Sequence, residues 1–201
     1  MTIICLTGGI ASGKTTAATF LEKQGAHVIN ADLLGHQAYL PHTRAFSQVR
    51  KTFGEEVIGI DGQIDRKVLG AKVFGNSQAL KQLTDIVWPE IRRLAEAEIK
   101  ARQSSHPSEI IVLEAAVLFE AGWEDIGDEI WTIIVDPEIA VTRASQRDGI
   151  DEDAVRQRIA AQLSNEQRAA KSTLIIENNG SEAEMLALLQ TQWQSIGQPE
   201  R

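Results

Sequence analysis

Cysteine is almost absent from this chain: Cys5 is the sole one among 201 residues. A lone thiol excludes an internal disulfide, and its place inside an apolar run reads as a small core residue of a reduced protein. No apolar run approaches the ~18 residues of a membrane span, so no membrane association is expected. The first apolar run is short and passes straight into glycines, with no basic region before it. No secretory leader is therefore expected, and the cytoplasm or an equivalent reducing space is the expected compartment. Positive charge is scarce too. Twenty Lys and Arg face 28 Asp and Glu, a net charge of −8. A broad basic surface for nucleic acid is thereby excluded, and an anion can be held only by a local cluster of donors. Repeats and low-complexity tracts are missing, only the tail GQPER reads as disordered, and nothing implies an obligate protein partner.

What is present suits one globular domain with insertions. Hydrophobic residues make up 43% of the chain and charged residues 24%, an ordinary composition for a soluble fold. The apolar, β-branched stretch 2–7 reads as a buried strand ended by Gly8 and Gly9, and 14–23 as a helix stopped at Gly25. A second strand is expected at 26–29, with a helix starting around Asn30-Ala31-Asp32. Residues 43–104 read as mainly helical, with a possible short strand at Val57-Ile58 and a long helix from about Ser77 interrupted at Pro89. A buried strand running into an active-site-like turn is expected over 110–120, another strand at 129–136 and a final strand and turn over 173–180, with helices near 138–147, 151–170 and 181–195. Strands separated by helices predict βαβ units and a parallel sheet. The helical block is too long for a simple crossover and reads as an inserted subdomain, and 143–171 as a small helical flap.

One motif carries chemistry. The segment from Gly8 to Thr15, GGIASGKT, fits G-x-x-x-x-G-K-[ST] between a predicted strand and a predicted helix. Its glycines let backbone N–H groups turn around phosphate oxygens, and the following helix adds its N-terminal dipole. Lys14 can reach the β- and γ-phosphates of a bound ATP or GTP, and the Thr15 hydroxyl can ligate Mg²⁺. Gly9, Ile10, Ala11, Ser12, Gly13, Lys14, Thr15 and Thr16 are thus the candidate nucleotide-binding residues.

Hydrolases, switches, motors and kinases share this loop. Asp32, after the second strand, stands at the end of a parallel sheet that faces a ligand. It reads either as a helix N-cap or as a carboxylate that takes a proton from an attacking hydroxyl or holds Mg²⁺ through water. Arginines are dense from Arg143 to Arg168. Arg143 and Arg147 share a helix face, and a mobile flap could close such planar forks over a transferring phosphoryl group. The plainer reading is a solvated helix paired with Asp148, Asp151, Glu152 and Asp153. The guanine-reading N-K-x-D is missing. A small-molecule kinase fits best; the rivals are a kinase of a nucleoside monophosphate or sugar acid, and a nucleotide-dependent binding module without catalysis.

The stretches LTGGIASGKTT, GAHVINADLLGHQAY, RKVLGAKVFGNSQALKQLTDIVWPEI, VLEAAVLFEAGWEDIGDEIWTIIV, RDGIDEDAVRQRIAAQLS and IIENNG resemble the dephospho-coenzyme A kinase family over residues 2–195. The resemblance implies an α/β, three-layer P-loop kinase fold with a parallel central sheet, a helical substrate-binding insertion and a small helical lid. The implied divisions are 1–32, 106–142 and 172–201 for the nucleotide-binding core, 33–105 for a helical coenzyme A-binding subdomain and 143–171 for the lid. It implies transfer of the γ-phosphoryl of ATP to the ribose 3′-hydroxyl of dephospho-coenzyme A. Asp32 would be the base, Arg147 the lid arginine on the phosphates with Arg143 beside it, and the turn with Asn178 and Asn179 would lie by the adenine. The chain departs from the family at Asn30, commonly Asp, and at 114–118, where Glu114 replaces an Asp as a possible neighbour of Mg²⁺.

Overall fold

The computed structural model describes residues 2–196; the tail GQPER lies outside the described residues. Strand β1 (Ile3–Gly8) is buried along its whole length. It pairs in parallel with β3 (Ile111–Glu114) on one side and with β4 (Glu129–Ile134) on the other. β4 pairs in parallel with β5 (Leu174–Glu177), and β2 (His27–Asn30) completes the five-stranded order β2-β3-β1-β4-β5. Strands buried on both faces read as continuous apolar runs, which is why IICL and IVL lack the alternation of a half-exposed sheet. On one face Ile4, Leu6, Val112, Trp131 and Ile133 pack against Ala17, Ala18 and Leu21 of α1 (Lys14–Lys23) and Met185 and Leu189 of α9 (Glu182–Ile196). The other face carries Cys5, which crowds Gly127, and Thr132, bonded to Ser172 at 2.6 Å. Burial pushes the Cys5 thiol up to about 12, so it is a core residue and not a reactive thiol.

The chain divides into two compact units. One holds the residues up to Ile29 and those from Ser105 onwards, and the other is Asn30–Ser104. The second is helical: α2 (Ala31–Ala38), α3 (Arg44–Phe53), α4 (Arg66–Val73) and most of α5 (Ser77–Ser105). The starts of α2, α3 and α4 are capped: Asn30 accepts the Leu33 N–H, Thr43 the Phe46 N–H, and Asp65 the Lys67 and Val68 N–H. In place of a strand at Val57-Ile58 there is a single 3₁₀ turn and an isolated Ile58–Ile64 bridge. Pro89 does not interrupt α5. It removes one backbone donor, but Val87, Ile91, Ala95 and Ile99 bury a continuous stripe on either side of it, and that burial outweighs one lost bond.

In the first unit the strand and turn expected over 110–120 are both present: the strand ends at Glu114, and the chain then folds into turns closed by Ala121 N–H to Val117 O and Trp123 N–H to Leu118 O. The helix expected over 151–170 is two helices, α7 (Glu152–Ala160) and α8 (Asn165–Ala169), because Ser164 and Gln167 form a reciprocal capping box that starts a new helix. Ahead of them α6 (Pro137–Asp148) runs unbroken from its Asp136 cap to Gly149.

Candidate active site

The glycine loop leaves the central strand and turns into α1. At Gly8 a Cβ would stand 2.5 Å from Ser12 Oγ and 2.6 Å from the Ile133 carbonyl; at Gly13, with φ of 94°, it would stand 2.5 Å from Asn178 Nδ2. Only glycine fits either place. Gly13 begins α1 without a side-chain cap, so the first-turn N–H groups are left for an anion. A cavity of about 440 Å³ opens there, lined by Gly9, residues 11–16, Arg143 and Arg147.

Thr15 Oγ1 donates to Glu114 Oε1 at 3.1 Å. Glu114 is buried, and the register sets it beside Leu6 of β1, so the end of β3 brings an acid to the loop. Two hard oxygen donors at one place suit Mg²⁺, which keeps most of its shell as water and phosphate. No cluster of three or more His, Cys, Asp or Glu able to cage a metal occurs among the described residues.

The turn after β5 closes the loop from behind. Asn178 Nδ2 donates to Ser12 O at 2.8 Å, while its buried Oδ1 has no hydrogen-bond partner among the described residues. Arg143 donates to the carbonyls of Asn178 and Gly180 at 2.8 and 2.9 Å. A cavity of about 270 Å³ lies here, with Ala11, Thr16, Arg143 and Asn178 in its wall. Asn179 is not in that wall, and its Oδ1 accepts the Asp136 N–H at 2.7 Å. Arg147 reaches the cavity over the loop but holds Asp148 by two bonds of 2.7 and 2.8 Å. The pairing raises the arginine's pKa and holds the Asp148 carboxyl below its usual range.

The helix carrying these arginines and α7 after it also grip the loop. Ile10 and Ala11 pack against Val141, Ala144 and Val155. Gln162, after α7, accepts the Ile10 N–H at 3.1 Å. Gln162 went unread in the sequence because a lone glutamine at a helix end has no periodic or motif signal.

In the second unit, Asp32 occupies the exposed first turn of α2. The cap is Asn30, whose Oδ1 accepts the Leu33 N–H, so the capping reading of Asp32 falls away. Among the described residues the Asp32 carboxylate makes no hydrogen bond or ion pair. The same unit has a cavity of about 670 Å³ with Arg44, Asp85, Pro89 and Arg93 in its wall; the buried Glu90 there is held by Arg93 at 2.7 Å. The structure thus gathers Gly9–Thr16, Glu114, Arg143, Arg147 and Asn178 around one loop.

A parallel five-stranded sheet, a phosphate-binding glycine loop after its middle strand and arginines on the helix that overlies the loop define a P-loop kinase. The fold recurs in a shikimate kinase from Acinetobacter baumannii solved with shikimate, with a TM-score of 0.51 at 15% identity over 98% of this chain and 93% of that one. A structure from Thermus thermophilus matches far more closely, with a TM-score of 0.82 and 30% identity over 98% of both chains. A dephospho-CoA kinase from Campylobacter jejuni matches with a TM-score of 0.72 and 26% identity over 96% of both. The model of the dephospho-CoA kinase family covers residues 2–184. The dephospho-CoA kinase of Geobacter sulfurreducens is 44% identical over 96% of this chain and 98% of its own, and that of Shouchella clausii is 40% identical over 89% and 90%. The chain belongs to the dephospho-CoA kinase family, kinases of the final step of coenzyme A biosynthesis.

Proposed function

We propose that this chain transfers the γ-phosphoryl group of ATP, with Mg²⁺, to the ribose 3′-hydroxyl of dephospho-coenzyme A, in the cytoplasm. The observation that carries the reading is the loop cradle itself, with the Thr15 hydroxyl 3.1 Å from Glu114 and two arginines in the wall of the same cavity.

Gly9 to Thr16 wrap the phosphates with backbone N–H groups. Lys14 neutralises charge that develops on the transferring group. Thr15, with Glu114 behind it, holds Mg²⁺, and the ion supplies charge neutralisation on the phosphates. The Asn178 turn borders the adenine, with the Asn178 side chain held on Ser12 O, while Asn179 keeps the turn in shape through Asp136. Asp32 accepts the proton of the acceptor hydroxyl. The Asn30–Ser104 unit takes the acceptor. The stretch from Arg143 to Lys171 is the lid, in which Arg147 exchanges Asp148 for phosphate oxygens as water is excluded.

A coupled ADP-release assay with Mg-ATP tests this reading. Turnover is expected with dephospho-coenzyme A, with coenzyme A as product. Turnover only with a nucleoside monophosphate or a sugar acid overturns the choice of acceptor.

A further inference from the structure

Ala11 lies in the left-handed region of backbone space, with φ of 53°, one of two non-glycine residues among those described that do so. It is the third residue of a turn that the Ser12 N–H closes onto Gly9 O at 3.3 Å. Glycine or asparagine normally takes such a place, because a Cβ there crowds the carbonyl that follows. An alanine keeps this conformation only where its surroundings over-determine it.

The surroundings are supplied by the helices after β4. Of the residues from Gly9 to Thr16, Ile10 alone does not line the cavity over the loop; it faces the other way, towards Ala140, Ile159 and Gln162. Its side chain packs with that of Ala11 against Val141, Ala144 and Val155. Its N–H donates to Gln162 Oε1 at 3.1 Å, and the same oxygen would stand 3.5 Å from a Cβ on Gly9. Gln162 is itself anchored. Its backbone N–H donates to Ile159 O at 3.0 Å, and Ile159 belongs to the same apolar cluster. The Gly9–Ile10 peptide is therefore fixed by Gln162 as the chain enters the turn, and the apolar cluster fixes the chain at Ala11. Between those two anchors a left-handed Ala11 closes the turn. With an ordinary φ at Ala11 the backbone amides that follow would no longer converge on the cavity.

Resting on the use of ATP named under Proposed function, we propose that Gln162 is a positioning residue for that nucleotide. Through the Ile10 N–H it holds Ala11 left-handed, and so keeps the glycine loop in its phosphate-receiving shape before the nucleotide arrives. A loop already in shape needs no ordering on binding, which raises affinity. Gln162 is absent from the wall of the phosphate cavity, so it acts through the loop and not on the phosphates.

The test measures binding of a non-hydrolysable ATP analogue with Mg²⁺ to the full chain by calorimetry. Gln162→Leu removes the acceptor and should weaken binding about five-fold or more. Glycine adopts positive φ without steric cost, so it needs no clamp. In the Ala11→Gly background the same Gln162→Leu change should therefore weaken binding less than about two-fold. A role confined to the stability of α7 would give equal losses in both backgrounds. Equal losses, or no loss with Ala11 in place, overturn the proposal. If Gln162→Leu does not fold, Gln162→Ala goes through the same comparison. A wild-type chain that does not bind the analogue sinks the use of ATP instead. The ¹³Cα and ¹³Cβ shifts of Ala11 in the free protein then decide the clamp: they should leave their left-handed values in Gln162→Leu, and unchanged shifts overturn it.

Discussion

Lys14 is the residue on which phosphoryl transfer leans most. Lys14→Ala should abolish turnover while leaving the melting temperature nearly unchanged, since the ammonium acts on developing charge and not on the core. Near-normal rates in a folded variant would show that the loop is not catalytic. Asp32→Asn keeps size and shape but cannot take a proton. It should slow the reaction by roughly 10²–10⁴-fold, nearer the lower end because a loose transition state needs less help from a base. Asn30→Asp keeps the cap on Leu33, so it should leave the reaction class unchanged and report only on Mg²⁺ dependence. Should Asn30→Asp switch on an inactive protein, the base assignment is wrong. Arg147→Lys should lower kcat markedly, because a point charge cannot replace a planar fork; a raised KM alone would mean simple binding. The Arg147–Asp148 pair is exposed and worth little by itself, which suits an arginine that must change partners.

At the scale of elements, the junctions around α6, α7 and α8 matter most. Arg156 ties α7 to α6 through Glu138 at 2.8 Å and also meets Glu152 and Asp153. Arg156 holds the Glu138 carboxyl below its usual range, as Arg147 does for Asp148. A depressed folded value means that this support is complete above the ordinary carboxylate range and is lost as pH falls through the lowered values. Both groups are exposed, so Arg156→Ala should shift the melting temperature only slightly. Its clearer signature should be faster amide exchange in α6 and α7 at neutral pH, a difference that fades on acidification. Equal exchange in variant and wild type would remove the tether from the account. Pro89 and Ser164 teach opposite lessons at this scale. The proline looked like a break but was overridden by a buried stripe running the length of α5. The S-x-x-Q signal within a seemingly continuous helical pattern was a true start.

For the molecule as a whole, the two compact units predict two patterns of ligand protection. Dephospho-coenzyme A alone should slow amide exchange within Asn30–Ser104, and an ATP analogue alone should slow it in the loop, α1 and the turn after β5. Protection of Asn30–Ser104 by the nucleotide alone would contradict the assignment of the acceptor to that unit. Much of this organisation was legible in the chain. The two apolar strands, the glycine loop and the helical stretch after Asp32 carry local signals of period, turn chemistry and motif spacing, and those survive folding because they are satisfied by near neighbours. Glu114 was readable only as an acid at a strand end. Its place beside Thr15, 99 residues away in sequence, comes from the parallel register of β1 and β3.

The sequence by itself determined that this protein holds a phosphate, where the holding loop lies, and that the loop is followed by an inserted helical block. Those properties rest on glycine sterics and on apolar period, which act over a few residues. Only the tertiary structure decided that Asn30 and not Asp32 is the cap, that Asn178 faces the loop while Asn179 turns to Asp136, and that Arg143 clamps the turn after β5. It also decided that Arg168, one of several arginines in a charged stretch, is buried against Glu120 with a donor to spare. Side chains of one type in one stretch are equivalent until long-range packing removes water from some of them and not from others.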